Sequence, residues 1–269
     1  MSVKDLRFVI TGSGTGIGRA TAQVAAAKGA KIMVSDLNDA NGKQVAEDIR
    51  KSGGAAEYFH CDVTNPQEVE ALMKATADAF GGIDVLHNNA GIHETALAPA
   101  DQCNIEGMPL EVFRKVLEVN AVGPWLCTKY ALPYLKKSEN ASVINAASTG
   151  SQSGYPNNSA YGTSKGGIRL QTQNLAVDLA KYKIRVNCYG PTAIATDMVT
   201  NFVKQSPDPV AFEKALIATS LIPRLGRPEE VAELVCFLAS KESGFINAAY
   251  ILIDGGSLAW RGSADQIGL

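Results

Sequence analysis

The 269-residue sequence predicts an α/β fold, a doubly wound parallel sheet of about seven strands with helices on both faces. Short apolar runs alternate with stretches of helical period from one end of the chain to the other. The runs are apolar at successive positions rather than alternate ones, as strands covered on both faces must be. No internal repeat or low-complexity segment breaks the alternation, so residues 1–269 read as one domain, with a lid near 194–221.

Arg7 to Thr11 is the first strand, ended by Gly12, and Ile17 to Lys28 has helical spacing with the small residues Ala20, Ala22, Ala25 and Ala26. Lys31 to Ser35, ending at Asp36, is the second strand; Ala40 to Lys51 is helical, and Ala55 to Val63 is the third strand. Pro66 opens a helix, where its missing N–H costs nothing, and Gly81-Gly82 stops that helix after Phe80. Val85 to Asn89 is the fourth strand. Ile92 to Met108 contains Pro99, has no clear period and is a loop over the sheet edge. Leu110 to Lys137 reads as one long helix bent at Pro124 and Pro133. Ser142 to Ala147 is the fifth strand, Ser148 to Ser159 is a polar loop, and the next helix carries Tyr161 and Lys165. Ile184 to Cys188 is the sixth strand, Ile194 to Leu221 a proline-interrupted insertion that is helical in part, Pro228 to Ala239 a helix, and Tyr250 to Ile253 the last strand.

Composition excludes several classes. With 46% hydrophobic residues, 19% charged residues, a formal net charge of −2 and no lysine run, the chain is not expected to bind nucleic acid or an acidic membrane. No apolar run approaches a membrane span, and the amino terminus lacks the apolar core of a signal peptide. Cys61, Cys103, Cys127, Cys188 and Cys236 are odd in number, widely spaced and in no C-x-x-C pair, so they read as reduced thiols of a cytoplasmic protein. His60 and His87 fall in strands and read as structural; His93 lies near the expected cleft, and no metal-ligand cluster is evident.

In a doubly wound sheet the ligand lies outside the carboxyl ends of the strands. Gly12, Asp36, Asp62, Asn89, Ser148 and Pro191 all fall at such ends. Thr11-Gly12-Ser13-Gly14-Thr15-Gly16-Ile17-Gly18 joins a strand to a helix, so its backbone N–H groups and the helix N-terminus can hold a pyrophosphate. Asp36 can accept from both hydroxyls of an adenosine ribose and would repel a 2′-phosphate. Leu37 and Thr15 stand where a phosphate-reading cation would be expected, which selects NAD over NADP. Asp62 and Val63 can hold an adenine ring, and Asn89, Ala90 and Gly91 are small where backbone must pass close to a cofactor. Asn120 sits mid-helix between apolar neighbours, a position that is costly to bury unless paired. Tyr161 and Lys165, four apart, share one helix face, and Ser148 precedes Tyr161 by thirteen positions.

Together the T-G-x3-G-x-G turn, Asp36, N-N-A-G, Asn120, Ser148 and Y-x-x-x-K resemble the short-chain dehydrogenase/reductase family over about residues 6 to 256. The resemblance implies a Rossmann-like fold, an NAD cofactor and hydride transfer between a secondary alcohol and its ketone. Tyr161 would be the general base for oxidation and the acid for reduction, Ser148 would hydrogen-bond the substrate oxygen, and Asn120 would hold a water linking Lys165 to solvent. A free tyrosine has a pKa of ~10. Lys165 is therefore expected to lower it, together with the oxidised nicotinamide; two to three units need about 3–4 kcal/mol of differential stabilisation. By the same resemblance Gly12, Thr15, Gly16, Ile17, Gly18, Pro191, Ile194 and Thr196 would contact the cofactor, as would Tyr161 and Lys165. The family has Pro-Gly where this chain has Pro191-Thr192, which puts the local backbone in question because threonine tolerates positive φ poorly.

Met198 and Phe202 in the lid, and Gln152 and Tyr155 in the loop after Ser148, are the candidate substrate contacts, with Asn158 a further polar group. They suit a polyol or cyclic alcohol. No cationic cluster appears in either wall, which counts against acyl-CoA or phosphorylated substrates. A carbonyl reductase running the other way is an alternative, as is an NAD-binding regulator without turnover, although such a protein would be expected to lack Tyr161 or Lys165. The resemblance further implies a homotetramer. In relatives a C-terminus can reach a neighbouring subunit's pocket, for which Trp260 is the candidate; Arg261 to Leu269 has no assignable role.

Overall fold

A computed structural model describes residues 2–260 together with Gly262 and Gln266; most of the tail after Trp260 lies outside the described residues. Seven strands form one parallel sheet in the order β3-β2-β1-β4-β5-β6-β7. They are β1 (Arg7–Thr11), β2 (Lys31–Asp36), β3 (Ala55–His60), β4 (Val85–Asn88), β5 (Ser142–Ala146), β6 (Arg185–Pro191) and β7 (Tyr250–Ile253). The order reverses between β1 and β4, which opens a crevice at the carboxyl ends of those two strands.

Both sheet faces are buried, and side-chain alternation within each strand divides the core. Phe8 and Ile10 point to one side with Ile32 and Val34, against α1 (Gly16–Ala27), α2 (Asp39–Lys51) and α9 (Pro228–Ala239). Val9 and Met33 point to the other, against α3 (Pro66–Phe80), α5 (Gly123–Leu135) and α6 (Ser159–Leu179). The small residues of α1 let α9 approach it closely, and Ala22, Ala25, Val231 and Val235 are all fully buried there.

Three features differ most from the sequence reading. β3 stops at His60 rather than Val63. Asp62 takes the Thr64 N–H and hydroxyl, and Asn65 N–H returns to the Asp62 carbonyl, so the chain turns there. β6 runs on to Pro191 because β7 pairs with Cys188 through Pro191. The expected long helix is two, α4 (Leu110–Leu117) and α5, joined by a π-helical turn at Glu118–Val122. Pro124 directly follows the π turn, where its missing N–H cannot bond the Asn120 carbonyl, while Pro133 is carried inside α5. The insertion, expected to be helical in part, forms two short helices, α7 (Asp197–Gln205) and α8 (Pro209–Ala218), packed on each other.

Candidate active site

The glycine-rich turn after β1 is tight. Gly12 has φ +61°, and a Cβ there would lie 2.7 Å from Ala90 Cα; a Cβ on Gly18 would lie 2.3 Å from the Gly12 carbonyl oxygen. Asn89 braces this turn, donating from Nδ2 to the carbonyls of Thr11 at 3.1 Å and Gly12 at 2.9 Å. Side chains accept N–H groups at the starts of α2, α3 and α8, but α1 has neither a side-chain cap nor an acid in its first turn. Its N-terminal N–H groups and positive dipole end therefore face the crevice, as an anion requires.

That crevice is a cleft of about 490 Å³ lined by Gly12, Thr15, Gly16, Ile17, Asp36, Leu37, Asp62, Val63, Asn89, Ala90, Gly91, Tyr161, Lys165, Pro191 and Thr196 among others. At its far end Asp36 accepts the Gly14 N–H through Oδ2 at 2.8 Å and the Asn38 N–H through Oδ1 at 2.9 Å. A carboxylate has about four lone-pair positions, so Asp36 is oriented with acceptor capacity left over. Burial works against ionisation of Asp62, but the bonds from Thr64 and the nearby Lys115 outweigh it and hold the acid below its usual range. The uncapped helix, the glycine turn and the two carboxylates fit a dinucleotide. Thr196 closes the near end, its Cγ2 standing 3.3 Å from where a Cβ on Gly16 would be.

Thr192 follows β6, and the positive-φ residues other than glycine are Asp5, Asn157, Lys183 and Ala248 among the described residues. The chain therefore needs no glycine at 192. Ile194 makes an isolated parallel bridge to Gly226, and its carbonyl accepts the Thr196 hydroxyl at 3.2 Å.

Ser148 ends the turn after β5 and caps a short 3-10 segment, Thr149–Ser151. Its backbone N–H donates to Ser151 Oγ, Ser151 Oγ donates to the Lys165 carbonyl, and Tyr250 OH donates to the Ser148 carbonyl at 2.7 Å. The loop is thereby tied to α6 and β7, and Ser148 Oγ is held beside the Tyr161 hydroxyl, where its hydrogen bond favours the phenolate. Burial wins nonetheless: with some help from Glu94, it pushes Tyr161 up to about 12. Lys165, 4% exposed, donates from Nζ to the Ala146 carbonyl at 2.7 Å, and burial lowers its ammonium to about 8. Lys165 Nζ is bonded to the Ala146 carbonyl and lies 5.5 Å from the Tyr161 ring centre; the expected depression of Tyr161 draws also on the charge of an oxidised nicotinamide.

Asn120 falls within the π-helical turn and is fully buried. Its Oδ1 accepts the Ile92 N–H at 2.8 Å, and its Nδ2 donates to the Ile92 carbonyl at 2.8 Å and to Ser164 Oγ at 3.0 Å. The side chain is thus spent on clamping the β4–α4 connection to α6. π turns recur at functional sites, and the clamp brings Gly91, Asn120 and Lys165 together.

Beyond Tyr161 lies a second cavity of about 760 Å³. Ser148, Tyr155, Tyr161, Met198 and Phe202 line it, with His93 and Asn158. Gln152 is not brought there; it sits on a shallower outer groove and accepts from Arg169 at 3.3 Å. No lysine or arginine lines the cavity among the described residues. Phe212, Leu216 and Leu258, which sequence reading missed, complete its apolar side. Only their places on α8 and after β7 bring them to Tyr161, so no local motif marks them. The other two histidines do not line this cavity: His60 bonds Asp39 at 2.7 Å, and His87 bonds Tyr189 OH at 2.9 Å and is pushed by burial down to about 3.

Comparison with known proteins agrees with this architecture. A family model described as enoyl-(acyl carrier protein) reductase matches residues 12–257. An uncharacterized oxidoreductase of Thermotoga maritima is 37% identical over 96% of this chain and 100% of its own length. The cis-4-hydroxycyclohexanecarboxylate dehydrogenase of Sinomonas cyclohexanicum is 35% identical over 93% of this chain and 96% of its own. The crystal structure of levodione reductase superimposes with a TM-score of 0.89 at 34% identity, covering 96% of this chain and 99% of that one. With a parallel sheet, a dinucleotide cleft and relatives matched end to end, the chain belongs to the short-chain dehydrogenase/reductase family of oxidoreductases, enzymes that use a nicotinamide dinucleotide.

Proposed function

We propose that this enzyme uses NAD to interconvert a compact secondary alcohol, a cyclic alcohol or polyol, with its ketone. The observation that carries the reading is the position of Tyr161 between the two cavities, beside Ser148, with Lys165 one turn along α6. A nicotinamide dinucleotide in the cleft would accept or give the hydride. Tyr161 moves the hydroxyl proton, and Ser148 holds the substrate oxygen and stabilises charge developing on it. Lys165 keeps a positive charge beneath the site. Asn120 would hold the relay water, although both of its side-chain N–H groups are already given to Ile92 and Ser164.

NAD is favoured over NADP because Asp36 is fixed by two backbone donors at the ribose end, beside the exposed, uncharged Leu37. The second cavity is neutral, with Phe202, Phe212 and Leu216 on one side and hydroxyl and amide groups on the other. It suits a small ring bearing oxygen better than a phosphorylated or acyl-CoA substrate, and the similarity to a dehydrogenase of a hydroxylated cyclohexane acid supports the ring. One comparison favours the reductive direction as a second reading: the chain is similar to a levodione reductase, and in that direction Tyr161 would give its proton to the carbonyl. Exposed Val122, Trp125, Leu170 and Val177 on α5 and α6 and the adjoining π turn support assembly with further copies of the chain, as a homotetramer. The five free, buried cysteines suit a reducing compartment such as the cytoplasm. A panel of cyclic alcohols and polyols assayed with NAD and NADP, following absorbance of the reduced cofactor, tests the reading. Turnover of linear acyl thioesters alone would contradict it.

A further inference from the structure

Glu94 is a glutamate with no exposed surface, placed three residues after Gly91 in the connection that leaves β4. Acids are rarely buried without partners, and its partners are the start of the helix that carries Tyr161. Oε1 faces the Ala160 N–H at 3.3 Å, and Oε2 faces the Tyr161 N–H at 3.2 Å. The residue expected to cap α6 is Asn158, yet it makes no side-chain cap. Its Oδ1 instead meets His93 Nε2 at 2.8 Å. His93 Nδ1 accepts the Thr95 N–H at 3.2 Å, so the ring hydrogen sits on Nε2 and is donated to Asn158. The His93 ring in turn packs on the Tyr161 ring at 5.0 Å and on Phe202 at 4.6 Å. With Asn158 diverted to His93, the N-terminal donors of α6 are left to Glu94.

We propose that Glu94 is a positioning residue whose carboxylate fixes the Tyr161 backbone and, by its charge, sets the pH at which Tyr161 gives up its proton. The inference rests on Tyr161 being the acid–base group. The groups facing the carboxylate are the Ala160 and Tyr161 N–H groups and, at 3.6 Å, His93 Nε2, with the Cys103 thiol also within its field. The other groups around Tyr161 are Lys165 on its own helix, His93 beside Glu94, Ser148 after β5 and Tyr189 on β6, with the apolar Phe202 from the lid. Of these, Glu94 is the acid, and a negative charge near a phenol disfavours the phenolate.

The test is the pH dependence of kcat/KM for alcohol oxidation in Glu94→Gln, which keeps an acceptor oxygen and removes the charge. The acid limb is expected to move toward lower pH by about half a unit to one unit. In the chain without cofactor, the isotope-labelled Tyr161 Cζ resonance should begin to titrate at lower pH than in wild type. A wild-type limb and an unmoved resonance would overturn the proposal, since an uncharged cap would serve as well. If Glu94→Gln does not fold, Glu94→Asp carries the test, keeping the charge farther from the two N–H groups. Lower kcat, faster exchange of the Tyr161 amide and an unmoved acid limb are then expected; wild-type kcat and exchange would overturn it. Tyr161→Phe assayed in parallel separates the two levels, because turnover surviving in that variant sinks the functional reading rather than the role of Glu94 alone.

Discussion

Lys165 Nζ donates to the Ala146 carbonyl at 2.7 Å, so the ammonium of α6 is anchored on the end of β5. That geometry holds a charge in a desolvated place, and its cost is measurable. The lysine falls from 10.5 to about 8 in the folded chain, a difference worth about 3 kcal/mol. A lysine whose folded value lies below its unfolded one penalises folding while it is charged. The penalty is full below about 8 and gone above 10.5. Lys165→Met is therefore expected to lose turnover while gaining stability near neutral pH. The gain should be smaller than the full penalty, because Ala146 loses its donor, and it should fade as pH rises through that window. Urea unfolding of both proteins at several pH values checks this.

Asp36→Ala should weaken NAD binding by roughly tenfold to a hundredfold, the worth of one or two charge-assisted hydrogen bonds. NADP should lose far less, so the preference narrows. Titration of both cofactors by quenching of protein fluorescence gives the ratio, and an unchanged ratio would count against a ribose role for Asp36.

Asn120→Leu removes partners from the Ile92 N–H, the Ile92 carbonyl and Ser164 at once. Leaving such buried groups unpaired should cost ~3 kcal/mol of stability. Because the same bonds tie the β4–α4 connection to α6, kcat should fall as well. Denaturation midpoints and steady-state kinetics read the two effects separately.

Phe202→Ala removes the ring that packs edge-on against His93 at 4.6 Å and walls the second cavity. A loss of about 1–2 kcal/mol of substrate binding is expected, seen mainly in KM, with NAD affinity little changed. Equal loss of NAD affinity would instead place Phe202 in the support of the whole lid.

Much of this site was legible because its residues sit at strand ends, where position in the chain dictates position in space. Gly12, Asp36 and Asn89 needed only the strand–helix alternation to be placed on one crevice, and Ser148 to be placed on the cavity that adjoins it. The π turn at Asn120 was legible only as a bend, since Pro124 has no N–H for the Asn120 carbonyl four residues back; the bonds of the Asn120 side chain to Ile92 and Ser164 were not. Nor was the fate of Asn158 and Glu94, which depends on a hydrogen bond between residues 65 positions apart. Nor was the anchoring of Lys165 on the Ala146 carbonyl: i and i+4 share a helix face, but spacing does not say where a flexible ammonium points.

The central claim is that Tyr161 moves the proton of the reacting hydroxyl. Tyr161→Phe keeps the ring that His93 packs on and removes only the oxygen. For a cyclic alcohol that the wild type oxidises, kcat/KM should drop by a thousandfold or more, about 4 kcal/mol of transition-state stabilisation, while the dissociation constant for NAD stays within about a factor of three. Turnover at the wild-type rate with NAD binding intact would contradict the account.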